Sequence, residues 1–151
     1  MASIENEKLQ LHAVIVPFPA QSHVNALMNL AQLLAQRGFF ITFVNIEWIH
    51  KRMLGVSAAT SNTDSLISLV SRGDPDHELE QRGWNFRFLS IPDGLPPDHD
   101  RTSSLGEYVL ALQKLSPALE HLLRSSRRPK ASDEKYSFPP ITCIVTDSFM
   151  S

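Results

Sequence analysis

The sequence predicts an α/β fold, a doubly wound and mainly parallel sheet with helices on both faces. Two observations lead to this prediction. Residues 11–46 have the pattern of strand, helix and strand, which is a βαβ unit with parallel strands and a right-handed crossover. Further strand and helix patterns follow, and the last of them is a short apolar strand at residues 141–145.

Composition places the chain among ordinary globular proteins. Its 151 residues, 42% of them hydrophobic and 20% charged, are enough for one domain with a buried core. The net charge of −2 gives no reason to expect a nucleic acid or an anionic membrane as partner. The single cysteine, Cys143, permits no internal disulfide. Because we find neither a secretory leader nor an apolar run long enough to span a bilayer, we expect a cytoplasmic protein.

The first βαβ unit has clear boundaries. Residues 11–16 are almost all apolar, as in a strand that is buried on both faces. In the helix that follows, Ser22 is the expected N-cap, while Arg37 and Gly38 are suited to the helix end. Residues 39–46, β-branched and aromatic, predict the second strand. Five apolar residues at helical spacing predict the buried face of the helix: Val24, Leu27, Leu30, Ala31 and Leu34.

The middle of the chain is less regular. Residues 47–54 predict a short helix, and residues 84–91 predict the third strand. Residues 66–72 fit a strand or a helix, and that choice stays open. A histidine and carboxylates occur at 74–78 and at 97–100, but these are proline-rich loops without a second ligand cluster, so we expect no metal site.

The last third combines a long helical segment with the fourth strand. Residues 103–128 have a helical pattern that Pro117 should kink or split near Ser116. Residues 141–145 predict the fourth strand, in which we expect Cys143 to be buried and unreactive. The expected strand order is 3-2-1-4, so the carboxyl ends of strands 1 and 4 meet at a topological switch point, where ligands bind in such folds.

Two titratable residues follow those two strand ends. His23 follows strand 1 at the start of the helix, and Asp147 follows strand 4. The positive end of a helix favours a neutral imidazole, which can accept a proton from a hydroxyl, while an aspartate can hold the ring in one tautomer. The sequence therefore predicts a His23–Asp147 general-base pair. His23 as an ordinary polar residue of a first helical turn, and Asp147 as the N-cap of a helix beginning at Ser148, remain open alternatives.

Other interpretations are weaker. His12 lies within strand 1, so we expect it to be structural. A dinucleotide site requires glycines in the first βα turn, so that the backbone can approach a pyrophosphate. The turn "PFPAQSH" (17–23) contains no glycine, which argues against such a site.

Three segments carry a resemblance to a known family. Residues 12–54, "FRFLSIPDGLP" (86–96) and "ITCIVTDSFMS" (141–151) resemble the N-terminal region of plant UDP-dependent glycosyltransferases that act on small lipophilic molecules. The resemblance implies the GT-B arrangement of two Rossmann-like domains, one for the acceptor and one for the nucleotide sugar. Residues 1–10 would be an N-terminal tail. Residues 11–151 would be an acceptor-binding domain that is incomplete at its C-terminus, with the donor-binding domain absent.

The same resemblance implies roles for individual residues. His23 would deprotonate the acceptor hydroxyl, Asp147 would support it, and the sugar would be transferred with inversion. Gln21 and Ser22 would lie near the sugar donor, and Phe149 would pack on the acceptor. No metal or other cofactor is implied, and the co-substrate would be a UDP-sugar, most commonly UDP-glucose.

Two functional hypotheses remain. The chain is the acceptor-binding part of a UDP-sugar hexosyltransferase, with a small lipophilic acceptor and a UDP-sugar as partners and no obligate protein partner. Alternatively, because residues of a donor domain are missing, it is a non-catalytic fragment or a weak small-molecule-binding module. The interactions that polarise the leaving UDP supply much of the transition-state stabilisation, so their loss would remove catalysis.

Overall fold

The structure is a computed structural model that describes residues 10–56, 85–96, 98–103, 105–126 and 139–147. The open segment 66–72 and Phe149 lie outside these ranges. The strands within them are β1 (His12–Val16), β2 (Phe40–Ile46), β3 (Phe86–Ile91) and β4 (Cys143–Thr146). The helices are α1 (Gln21–Gln36), α2 (Glu47–Val56), α3 (Leu105–Gln113) and α4 (Leu115–Ser126). None of these helices combines the length and the apolar character needed to cross a bilayer.

The four strands form one parallel sheet in the order β3-β2-β1-β4, as predicted. In the centre, Ile15 of β1 lies in register with Phe43 of β2 and with Val145 of β4. Every residue of β1 and β2 is buried, as expected for parallel strands that helices cover. The predicted Rossmann-like fold class is confirmed, and the switch point lies between the carboxyl ends of β1 and β4.

Helix α1 begins differently from the prediction. Its N-cap is Ala20, in an extended conformation and without a side-chain cap, and the helix starts at Gln21. Ser22 is therefore not the N-cap, because the tight turn closed by the hydrogen bond from the Ala20 N–H to the Phe18 carbonyl (2.7 Å) starts the helix earlier. The predicted helix end is correct, since Gly38 adopts a φ of +87°, which glycine tolerates without strain.

The buried face of α1 is rotated slightly from the predicted one. Leu27 and Leu34 are only partly buried, and Leu30 is 37% exposed. The leucines flank the buried face, and its centre is formed by other side chains. The fully buried residues are Val24, Met28, Ala31 and Ala35.

The long helical segment is split, as predicted. The break lies at Lys114, between α3 and α4, rather than at Ser116. Pro117 consequently falls in the first turn of α4, where its missing N–H costs no helical hydrogen bond.

Strand β4 does not bury its cysteine. Cys143 is exposed, and the neighbouring Ile144 is 52% exposed. The prediction of a buried Cys143 is wrong because β4 is an edge strand of the described sheet. Its contacts are mainly with β1.

His12 has the structural role predicted for it. It is 1% exposed, its Nδ1 lies 2.7 Å from the carbonyl oxygen of Pro139, and its Nε2 lies 2.8 Å from Oγ1 of Thr42. A carbonyl can only accept, so in the neutral ring Nδ1 donates and Nε2 accepts the Thr42 hydroxyl proton. The Thr42 oxygen in turn accepts from Nε of Arg87 at 2.7 Å. This network joins three strands at one end of the sheet.

A buried ion pair shapes the loop after β3. Arg101 donates to Asp93 through Nε at 2.6 Å and through Nη2 at 3.1 Å, and both side chains are less than 10% exposed. Burial alone would raise the pKa of Asp93, but its hydrogen bonds to Arg101 and to the Leu95 N–H lower that pKa below its usual value. The Arg101 guanidinium also lies over the Trp48 ring, 5.4 Å from its centroid.

The stability of the fold should fall in mild acid because of His12. Burial and the charge of Arg87 lower the pKa of His12 below its usual 6.5, although its hydrogen bond to Pro139 opposes this. The unfolded state then takes up a proton first as the pH falls below 6.5. The free energy of unfolding should decrease by up to about 1.4 kcal/mol per pH unit from this residue until the folded state is protonated too. Urea denaturation between pH 8 and 5 measures the slope, which His12→Asn should reduce; an unchanged slope would contradict this prediction.

Arg101→Ala should destabilise the fold strongly. The substitution leaves the buried Asp93 carboxylate without its partner, which costs about 3–5 kcal/mol of unfolding free energy. The matched control is Arg124→Ala, which removes an exposed i, i+4 pair with Glu120 at 2.7 Å and should cost less than about 1 kcal/mol. Chemical denaturation of both variants tests the difference, and similar losses in the two would be the contrary result.

Candidate active site

Two neighbouring strand ends build the site. Val16, the last residue of β1, lies in register with Thr146, the last residue of β4. The residues that follow each strand therefore emerge at the same edge of the sheet. After β1 the chain makes the turn 17–20 and enters α1, whose third residue is His23; after β4 comes Asp147.

The predicted pair is brought together. Nδ1 of His23 lies 3.0 Å from Oδ2 of Asp147. The same oxygen accepts a hydrogen bond from the Phe18 backbone N–H at 2.8 Å. The Phe18 ring meets the imidazole edge-on, with 5.4 Å between the ring centroids. The two side chains remain accessible, at 30% exposed for His23 and 17% for Asp147.

These hydrogen bonds fix the tautomer of a neutral His23. A backbone N–H can only donate, and an ionised carboxylate can only accept. The Phe18 amide thus holds Asp147 in place, and Oδ2 of Asp147 accepts a hydrogen bond from the N–H at Nδ1 of His23. The lone pair then resides on Nε2, the atom that can accept a proton from a bound hydroxyl. His23 thus contacts Asp147 through Nδ1 and keeps an acceptor on Nε2.

The other predicted site residues are less defined. Gln21 and Ser22 are exposed in the first turn of α1, beside His23 in sequence. Phe149 and Ser148 lie outside the described residues, so the N-cap alternative for Asp147 remains open. Among the residues that the structure describes, no group of three or more His, Cys, Asp or Glu side chains is placed to hold a metal ion.

A cavity of about 370 Å³ lies against Phe18, and its lining includes neither His23 nor Asp147. Its floor is the carboxyl edge of the sheet and the turn after β1, and its wall is formed by α3 and α4. Phe18 contributes to the lining and also contacts His23, so the cavity and the imidazole share a side chain. The lining is mainly apolar: Val16, Pro17, Phe18, Pro19, Val44, Asn45, Ile46, Ile91, Val109, Leu112, Gln113, Leu115, Ser116 and Leu119.

Three residues in and around the cavity, Phe18, Asn45 and Tyr108, are not evident from the sequence. Phe18 carried a weak signal, since an aromatic residue between two prolines in a turn before a helix suggests a fixed conformation. Asn45, which is 3% exposed in β2, interrupts an apolar strand just before its carboxyl end. Tyr108 is 4% exposed and hydrogen-bonds to the turn across the cavity wall, a contact over 89 residues of sequence. No local pattern could have identified that contact.

Comparison with known proteins agrees with this architecture. Residues 10–68 match the family described as glycosyltransferase, N-terminal domain. The chain is 41% identical over 143 residues to the (R)-mandelonitrile β-glucosyltransferase of Prunus dulcis, covering 93% of this chain and 24% of the relative. It is 37% identical over 143 residues to UDP-glycosyltransferase 85A7 of Arabidopsis thaliana, again covering 93% and 24%.

A solved structure has the same fold. The crystal structure of Glycyrrhiza uralensis UGT73P12 complexed with glycyrrhetinic acid 3-O-monoglucuronide matches 78% of this chain and 22% of that chain. The TM-score is 0.54 at 20% sequence identity. The chain thus spans about a quarter of the length of the curated relatives it matches. By the similarity of its sequence, the chain belongs to the plant UDP-glycosyltransferases.

Proposed function

We propose that this chain supplies the acceptor site and the general base of a UDP-sugar-dependent glycosyltransferase. The acceptor is a small lipophilic molecule with a hydroxyl group. The observation that carries the proposal is the His23–Asp147 hydrogen bond of 3.0 Å, together with an apolar cavity whose lining residue Phe18 contacts the His23 ring. An apolar cavity with a few polar side chains is typical of sites for small molecules.

The proposed chemistry uses one proton transfer and one displacement. Nε2 of His23 takes the proton of the acceptor hydroxyl, and Asp147 stabilises the resulting imidazolium through Nδ1. The acceptor oxygen attacks the anomeric carbon of the sugar on the face opposite the UDP group. The bond from that carbon to UDP breaks as the new bond forms, so the configuration is inverted and UDP leaves with the electron pair.

The donor is proposed from the relatives. The name of the Prunus dulcis protein states transfer of glucose to mandelonitrile, so UDP-glucose is the first donor to test. Gln21 and Ser22 are exposed in the first turn of α1, and helix N-termini attract phosphate groups. We propose that they lie near the donor. In this proposal the reaction needs no metal and no further cofactor.

The apolar lining of the cavity is an argument for a lipophilic acceptor. Aliphatic and aromatic side chains dominate its lining, while Asn45 and Gln113 offer polar groups that could orient a hydroxyl or carbonyl. Its volume of about 370 Å³ is within the usual range for small-molecule sites. Binding of an acceptor without any transfer would favour the alternative, a small-molecule-binding module.

The tautomer of His23 is the first testable consequence. Since Asp147 accepts from Nδ1, neutral His23 should carry its proton on Nδ1 and not on Nε2, and Asp147→Ala should abolish that preference. Long-range ¹H–¹⁵N correlation spectra of the imidazole measure both. The control is His12, whose ring also donates from Nδ1 but to Pro139, so its spectrum should not change in the variant. A His23 ring protonated on Nε2 at neutral pH would contradict the proposed base.

Transfer activity is the second consequence. Residues 1–151 can replace the matching N-terminal segment of the Prunus dulcis glucosyltransferase, which supplies a donor-binding half. In this chimera, His23→Ala should lower kcat by about 10²- to 10⁴-fold, the usual contribution of a general base, with little change in the KM for UDP-glucose.

Asn29→Ala is the control for this experiment, because Asn29 is an exposed residue of the same helix. It should leave kcat unchanged. A His23→Ala chimera with near-normal turnover would refute the proposed function.

A further inference from the structure

Tyr108 of α3 is joined to the turn that precedes α1. Its hydroxyl donates a hydrogen bond of 3.0 Å to the carbonyl oxygen of Pro19, and the side chain is buried at 4% exposure. The two residues are 89 positions apart in the sequence. The contact therefore ties the wall of the cavity to the turn beside His23.

The Pro19 carbonyl lies just outside the hydrogen-bonding ladder of α1. The first helical bond runs from the Val24 N–H to the carbonyl of Ala20 (2.9 Å), one residue later. A buried carbonyl away from water must find a donor elsewhere, and Tyr108 supplies it. The bond thus holds the last peptide group before the helix.

That peptide group is rigidly connected to the catalytic pair. The turn has prolines at 17 and 19, whose φ angles are fixed by their rings. Between them, the Phe18 N–H donates to Oδ2 of Asp147, the oxygen that also faces Nδ1 of His23. A shift at Pro19 would therefore move the Phe18 amide and, with it, the carboxylate that orients His23.

Tyr108 is itself held in place. Its ring meets Trp48 edge-on, with 6.3 Å between the centroids, and Trp48 lies under the guanidinium of Arg101 at 5.4 Å. Arg101 is fixed in turn by its two hydrogen bonds to Asp93. The loop after β3 thus anchors the tyrosine ring, so that its hydroxyl has little freedom to leave the Pro19 carbonyl.

The phenol keeps its proton under all working conditions. Burial and the nearby carboxylate of Asp93 raise the pKa of Tyr108 above its usual 10.0, against the opposing effect of Arg101. The hydroxyl consequently remains a donor over the whole pH range in which an enzyme of this kind would be assayed.

We propose that Tyr108 is a positioning residue for the His23–Asp147 pair, acting through the Pro19 carbonyl and the Phe18 amide. Its neighbours in α3, Val109 and Leu112, line the cavity. Tyr108 thereby sets the distance between the cavity wall, against which an acceptor would pack, and the general base. The catalytic consequence rests on the proposed function, whereas the effect on the turn does not.

The first test follows the turn directly. Tyr108→Phe removes only the hydroxyl and keeps the ring against Trp48. Because Pro17 and Pro19 carry no amide hydrogen, the exchange signal of residues 17–19 comes from Phe18 alone. Hydrogen exchange of the Phe18 amide in the 151-residue chain should become at least tenfold faster in Tyr108→Phe.

The matched control is Thr42→Val. It also removes one buried hydroxyl, but that hydroxyl bonds to His12 and Arg87 at the other end of the sheet. If the two variants lose similar stability and only Tyr108→Phe accelerates exchange at Phe18, the effect is local and the proposal is supported. Equal exchange at Phe18 in Tyr108→Phe and the unaltered chain, or equal acceleration in both variants, overturns it.

The second test is kinetic, in the chimera with the donor-binding half. Tyr108→Phe should lower kcat about tenfold with the KM for UDP-glucose unchanged, since small displacements of a catalytic group cost rate more than donor affinity. Thr42→Val should leave both constants unchanged. If His23→Ala removes activity but Tyr108→Phe keeps full kcat, the positioning role is refuted. If His23→Ala also keeps full kcat, the proposed function fails, and the exchange experiment still decides whether Tyr108 orders the turn.

Discussion

Strand β1 pairs in parallel with β4, the edge strand of the described sheet, and Val16 and Thr146 share a register position at the carboxyl ends. This pairing determines where Asp147 emerges. A register shift of one residue would turn the side chains after β4 to the opposite face of the sheet, and the carboxylate would no longer reach the Phe18 amide or His23. The apolar strand pairing therefore supports the polar contacts of the site, although none of its residues takes part in them.

The histidines at the two ends of the sheet differ in their exposure to solvent. Both ring nitrogens of His12 are hydrogen-bonded to protein atoms, and burial lowers the pKa of the imidazole, which favours its neutral form. Around His23 and Asp147, both side chains keep partial contact with solvent. Burial explains the difference in expected behaviour: a histidine enclosed by its partners stabilises the fold, whereas an accessible one can exchange a proton with a ligand.

The cavity wall and the turn after β1 are linked through buried contacts of three kinds. An ion pair fixes Arg101, the cation lies over Trp48, and the tyrosine hydroxyl of α3 reaches the turn. Such a chain of directional contacts holds groups in place better than apolar packing alone, because each bond has a preferred geometry as well as a strength.

The sequence alone determined the order of the strands, the αβ alternation, the split in the helical segment and the candidate pair His23–Asp147. These features depend on local periodicity, on proline, and on the fact that parallel strand ends meet at one edge. Only the tertiary structure decided that Ala20 is the N-cap residue of α1, that Cys143 is exposed at a sheet edge, that the Phe18 amide bonds to Asp147 and that Tyr108 bonds to the turn after β1. Capping, edge exposure and contacts across 89 residues depend on which elements pack together, and no local pattern of residues encodes that packing.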